Sequence, residues 1–302
     1  MANAEKYYCG HCKHYIAYLK KYPPKDICKA FPNGLGSAYG SIKGFSKDVH
    51  QFIFPDQEND YVFDEEIHEN IWQMVDLEAM MQAGKHINRK VLDLSKNELG
   101  AFPENLVYFF QLRHLYLAHN NLQVLPETVT FIENLTMLDL YGNQLHTLPT
   151  RWHKLKFLKR LYLYHNQLAS LPTSMGDLGS LESLGLANNQ LTALPNSFAR
   201  LQNLERLYLS ENQLMDFPAV VTYLPNLAHL YLSRNQLHAL PASVGKMQGL
   251  RWLGLGGNQL TTLPEELFSL PALEWLDLRD NPIAESEQER IKAELPNTEI
   301  LF

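Results

Sequence analysis

The chain has 302 residues, 45% hydrophobic and 20% charged, with a formal net charge of −7. These are the proportions of an ordinary globular protein, and the acidic balance argues against nucleic acid, whose phosphates call for a Lys/Arg excess on some face. No stretch approaches the roughly 18 apolar residues of a membrane span, and the opening "MANAEKYYCGHCKHY" is polar and aromatic rather than leader-like, so a cytoplasmic chain without membrane contact is expected.

All three cysteines, Cys9, Cys12 and Cys28, fall in the first tenth of the chain. An odd count makes a poor disulfide framework. Cys9-x-x-Cys12 is the knuckle spacing with which two thiolates grip one metal from a tight turn. Cys28 supplies a third ligand. His50 is the preferred fourth, giving C-x2-C-x15-C-x21-H, with His11 and His14 as alternatives. Residues 1–63 carry eight Lys against six acids, a net of +2, which leaves −9 for the rest. So short and polar a segment builds little core, and a structural zinc would supply the missing folding energy. Free thiols, or a redox use of the C-x-x-C, are the other readings. The motifs "CGHCKHY" and "CKAFPNG", a later His and the acidic, aromatic "FPDQENDYVF" resemble a small bacterial cysteine-containing family of no established activity. The resemblance covers about residues 7–63 and departs after Gly34, at "LGSAYGSIKGFSK".

Next comes "DEEIHENIWQMVDLEAMMQAG". Residues 64–86 read as a helix capped by Asp64, with Ile67, Ile71, Met74, Val75 and Met81 roughly on one face. This helix is expected to be the N-terminal cap of the segment from residue 87 onward.

From residue 87 the chain is periodic. Asn recurs at 97, 120, 143, 166, 189, 212, 235, 258 and 281, and Pro at 103, 126, 149, 172, 195, 218, 241 and 264, every interval being 23. Around each Asn runs L-x-x-L-x-L-x-x-N-x-L-x-x-L-P, as in "LRHLYLAHNNLQVLP". The L-x-L alternation predicts a short strand with both leucines inward, as Leu115 and Leu117. The Asn amide both donates and accepts, so it can satisfy backbone groups that the turn out of the strand leaves unpaired. Three and six residues after each Pro come apolar pairs such as Leu106/Phe109 and Trp152/Leu155. That spacing predicts helical or 3-10 turns on the outer wall, with Pro at their start. One repeat cannot bury its apolar side alone, so the repeats must stack around a shared core. The pattern resembles the leucine-rich repeat family, in its 23-residue intracellular type, over residues 87–302, about 70% of the chain. The resemblance implies an α/β solenoid, a horseshoe with a parallel sheet on its concave side. Residues 282–302 break the pattern and read as a closing cap: a helix burying Ile291 and Leu295, stopped by Pro296, then a last strand at 299–302.

Residues between the strand leucines face outward on the concave side, and nine strands at about 4.8 Å span roughly 40 Å. His114, Tyr116, Tyr141, Arg160, Tyr162, Tyr164, Arg206, Tyr208, His229, Tyr231, Trp252 and Trp275 stand there. These are the residue types enriched in protein interfaces and their hot spots. Gly185 and Gly254 are expected to leave dents between aromatic neighbours. Aromatics also favour strands in their own right and pack on one another across them. No Ser–His–acid set converges and the repeats hold no cysteine, so no catalytic residue is assigned. The expectation is a monomeric, non-enzymatic scaffold that binds a protein on its concave face. The alternative is a metal-dependent enzyme or metal/redox sensor centred on residues 1–63.

Overall fold

The computed structural model describes residues 88–302. Among them ten three-residue strands form one parallel sheet in strict chain order: β1 (Val91–Asp93), β2 (His114–Tyr116), β3 (Met137–Asp139), β4 (Arg160–Tyr162), β5 (Ser183–Gly185), β6 (Arg206–Tyr208), β7 (His229–Tyr231), β8 (Trp252–Gly254), β9 (Trp275–Asp277) and β10 (Glu299–Leu301). The expected solenoid is what is found. From β1 to β9 the register equals the sequence period, Leu92 opposite Leu115 and Leu115 opposite Leu138. Each central leucine is fully buried, and one continuous apolar core runs the length of the stack.

Opposite the sheet, each repeat makes a 3-10 turn. Among the described residues, seven of the eight begin directly after the repeat proline, as Glu104–Tyr108 after Pro103 and Asn196–Arg200 after Pro195. The proline needs no N–H there, and its carbonyl accepts the turn's first hydrogen bond, as from Leu106 N at 3.1 Å. In the eighth, Thr150 N–H is taken by the Glu127 carboxylate at 2.7 Å, and the turn starts later, at Trp152. The apolar pairs point inward as expected, Trp152, Phe109 and Phe198 being the largest fully buried side chains.

The asparagines form a ladder through the stack. Asn212 Nδ2 donates to Leu186 O and Leu209 O, each at 3.0 Å, while its Oδ1 accepts from Leu191 N at 2.9 Å. The same three bonds recur at Asn143, Asn166, Asn189, Asn235, Asn258 and Asn281. Each rung therefore ties two successive repeats by three bonds.

To aim that amide, the residue before each Asn turns left-handed. Gly142 and Gly257 suit this conformation, but Lys96, His119, His165, Asn188, Glu211, Arg234 and Asp280 adopt it too, at φ between 50 and 58°. A side chain beyond glycine is strained there by about 1–2 kcal/mol, and the ladder imposes it. Arg234→Val therefore destabilises by at least about that amount, whereas Arg234→Gly is neutral or stabilising. Urea unfolding of the two variants checks this. The exposed Arg234–Glu211 pair, 3.3 Å apart, is lost in both and contributes little.

The C-terminal end closes with a helix and one more strand. Helix α1 (Glu285–Glu294) covers the last repeat with Ile291 and Leu295 buried, and β10 extends the sheet beside β9. No helix among the described residues is long and apolar enough to cross a membrane.

Candidate functional site

The sheet makes the inner wall, and its outward side chains stand in columns 23 residues apart. The first column runs Val91, His114, Met137, Arg160, Ser183, Arg206, His229, Trp252, Trp275; the second, Asp93, Tyr116, Asp139, Tyr162, Gly185, Tyr208, Tyr231, Gly254, Asp277. All twelve candidate side chains lie on this face or at its rim. They are not equally available.

Three of them are consumed by the face itself. Tyr162, Tyr164 and Tyr208 are only 7%, 5% and 7% exposed and pack with Met137 into a second, smaller cluster. The expected dent at Gly185 does not exist: a Cβ there would fall 2.2 Å from the Tyr164 ring, which lies over the glycine. At Gly254 the nearest atoms to such a Cβ are Tyr231 Cδ1 at 3.1 Å and Ser233 Oγ at 3.3 Å, so that hollow is shallow. Removing the side chain at Gly185 serves the tyrosine layer. Gly185→Ala would accordingly push Tyr164 out of its place, at about 1–3 kcal/mol of overpacking, with a change in near-ultraviolet circular dichroism that marks the tyrosine rearrangement.

His114, Tyr116, Tyr141, Arg160, Arg206, His229, Tyr231, Trp252 and Trp275 remain half-buried and reachable. At the C-terminal end their rings support one another. Tyr231 stacks on Tyr208 at 5.0 Å with 2° between planes, Trp252 meets His229 at 5.6 Å and Trp275 at 5.5 Å, and Tyr231 meets Trp275 at 6.5 Å. Nearer the N-terminus, Tyr141 is held edge-on between His119, 4.6 Å away, and His165, 5.0 Å away. Burial lowers the pKa of both histidines; Lys96 adds to the effect at His119, and Glu211 opposes it at His165.

Sequence reasoning did not single out Asp139. Its side chain is 5% exposed, and burial pushes its carboxyl up to about 7. Next to it, burial and the Asp139 charge hold the Tyr116 phenol at about 12. Among the described residues no group of three or more His, Cys, Asp or Glu side chains is placed to hold a metal ion. Cys9, Cys12, Cys28 and His50 lie outside the described residues.

Two family descriptions match the chain, the leucine-rich repeat region over residues 75–188 and the leucine-rich repeat over 182–237 and 225–283. Together with nine parallel strands in 23-residue register, they decide the assignment. The chain is a leucine-rich repeat protein. Among solved structures, the solenoid resembles TLR13 in its complex with ssRNA13, at 30% identity over 71% of this chain and 32% of that one, TM-score 0.63. It also resembles the plant peptide hormone receptor RGFR1 in complex with RGF2, at 27% identity over 66% of this chain and 37% of the receptor, TM-score 0.52. An LRR protein of Leptospira interrogans matches at 31% identity over 73% of this chain and 80% of its own, with a TM-score of 0.38. The chain thus spans about a third of the length of the TLR13 and RGFR1 chains. No curated protein matches it.

Proposed function

We propose that this leucine-rich repeat protein is a non-enzymatic scaffold that docks a protein partner on the C-terminal half of its concave face. The observation that carries the reading is the group His229, Tyr231, Trp252 and Trp275, reachable aromatic side chains held in fixed mutual contact on three adjacent strands. Such rings offer large area at little ordering cost, which is what makes Trp and Tyr anchors. RGFR1, a relative in fold and repeat, is in complex with RGF2. TLR13 is in complex with ssRNA13; the net charge of −7 here makes nucleic acid the less suited class.

Trp252→Ala with Trp275→Ala is expected to weaken partner capture by more than about tenfold while leaving the melting temperature within a few degrees, because neither ring belongs to the main core. Quantitative affinity capture with the full chain tests it. A double variant that keeps every partner of the wild type would sink the proposal.

Beside the solenoid, we propose that Cys9, Cys12, Cys28 and His50 hold a structural zinc, on the strength of the C-x-x-C spacing in a core-poor segment. Elemental analysis should find one zinc per chain, lost in Cys28→Ser. Iron in its place would favour the sensor or enzyme reading, and no metal at all would overturn the zinc assignment. A cytoplasmic setting is part of the same proposal and fits three cysteines, an odd number that makes a poor disulfide framework.

A further inference from the structure

The second column repeats an aspartate at 93, 139 and 277, and the three copies are built alike up to a point. In each, Oδ1 accepts the backbone N–H two residues on: Ser95 at 2.8 Å, Tyr141 at 2.9 Å and Arg279 at 3.1 Å. This is a local turn, and it accounts for one oxygen. At Asp277 the second oxygen is also satisfied. Arg279 lays its guanidinium on the carboxylate, Nη2 on Oδ2 at 2.8 Å and Nε on Oδ1 at 2.9 Å. At Asp139 the residue two positions on is Tyr141, whose ring is turned to His119 and His165. Among the described residues, the hydrogen bond found at Asp139 is the one from Tyr141 N–H to Oδ1, and no guanidinium lies on its carboxylate, although the residue is only 5% exposed. A buried carboxylate without a cation is costly to keep charged.

We propose that Asp139, with Tyr116 and Tyr162 beside it on the neighbouring strands, is a receptor for a guanidinium group, the side chain of an arginine on the protein partner. The solenoid supplies its own precedent, since Arg279 shows how the fork fits this carboxylate while the turn N–H stays in place. Phenol rings on both sides favour a flat, delocalised cation over a hydrated ammonium. A single carboxylate does not make a metal site, and no group of three ligands lies among the described residues.

The surroundings decide whether the chain's own cations already do this. Arg160, on β4 in the first column, acts on the Tyr116 phenol, whereas burial, the Tyr141 N–H and Asp93 are what act on Asp139. Asp93 faces from the other side of Tyr116 and adds negative charge, raising both Tyr116 and Asp139. His119 and His165 flank Tyr141 with lowered basicity and so are mainly neutral near pH 7. On binding, the guanidinium takes the place of the proton that burial holds on Asp139, and that proton leaves to solvent. The site therefore binds more tightly as pH rises through 7.

This inference rests on the concave-face reading and is separable from it. The probe is N-acetyl-L-arginine methylamide, titrated into the full chain while the Asp139 carboxyl and the Tyr116 and Tyr141 rings are followed by NMR. Saturable shifts at all three are expected, absent with the neutral citrulline counterpart. They should weaken by about tenfold or more in Asp139→Asn, which keeps an acceptor for Tyr141 N–H. Tyr141→Arg should fill the site from within, as Arg279 does, and abolish the response. Equal shifts with citrulline, or a response unchanged in Asp139→Asn, would overturn the proposal, and equal affinity for the lysine analogue would overturn its choice of guanidinium. In affinity capture, partners retained by Asp139→Asn but lost by the double tryptophan variant would mean that this inference fails while the concave-face scaffold stands.

Discussion

Asn212→Asp should unfold the middle of the stack at markedly lower urea than the wild type. The asparagine amide donates to Leu186 O and Leu209 O and accepts from Leu191 N, all in the buried wall between two successive repeats. A carboxylate keeps the acceptor but has no N–H. Two buried carbonyls then face a negative charge instead of a donor, so the variant loses about 2–6 kcal/mol, summing about 1–3 for each orphaned group. Asn212→Ala orphans all three groups but buries no charge, and should cost about as much or less. Position matters as well. Asn281 makes the same bonds at the last rung but is half-exposed, so water replaces part of what is lost. Asn281→Asp should therefore cost clearly less than Asn212→Asp. In a stack where each repeat leans on its neighbours, a broken central rung also uncouples the two halves. Urea titration followed by circular dichroism should then show a broadened or split transition. Equal effects at 212 and 281, or a loss below about 1 kcal/mol at 212, would contradict the ladder as a source of stability.

The second large effect is a stability that falls as pH rises towards neutrality. The Asp139 carboxyl is held at about 7 by burial, against 3.8 ordinarily. Between those values the folded chain keeps a proton that the unfolded chain has released. Protons then favour the fold, and the stabilisation is full below about pH 4 and lost as pH climbs through 7. At about 1.4 kcal/mol per pH unit the difference is on the order of 4 kcal/mol. Glu127 and Glu287 act in the opposite sense: burial would raise their pKa, but hydrogen bonds outweigh it and lower it, so their contribution is present above the ordinary carboxylate pKa and disappears as acidification protonates them. The comparison that isolates Asp139 is wild type against Asp139→Asn. The variant, neutral throughout, should gain on the wild type from pH 5 to pH 8. Parallel stability curves would show that Asp139 titrates normally and is solvated.

Much of this architecture is visible in the chain as written. Asparagines every 23 residues and the L-x-L pairs define nine strands with their register, because stacking admits only one phase between identical units. Proline with apolar residues three and six later defines the outer turns, and the break at Pro282 marks the closing cap. What escapes the pattern depends on side-chain direction. Gly185 reads as a vacancy in a column of tyrosines, yet the vacancy belongs to Tyr164, two positions along the previous repeat. Nothing in spacing distinguishes a tyrosine that points out from one that lies across a neighbour. The left-handed residue before each asparagine is also hidden, since glycine, its usual signature, stands at only two of nine positions. Asp139 is the instructive case. Its signal lies in the pairing of Asp277 with Arg279 and of Asp139 with Tyr141, but its meaning needs the burial of the carboxylate.

The central claim is that the concave face meets the partner, and site-specific photo-crosslinking in cells tests it most directly. A photoreactive phenylalanine at Tyr231, on the inner wall, is compared with the same group at Tyr223, which is 61% exposed on the outer turn. One defined adduct is expected from position 231, absent from 223 and competed away by unlabelled wild-type chain. An adduct from 223 with none from 231 would place the partner on the convex wall and contradict the claim.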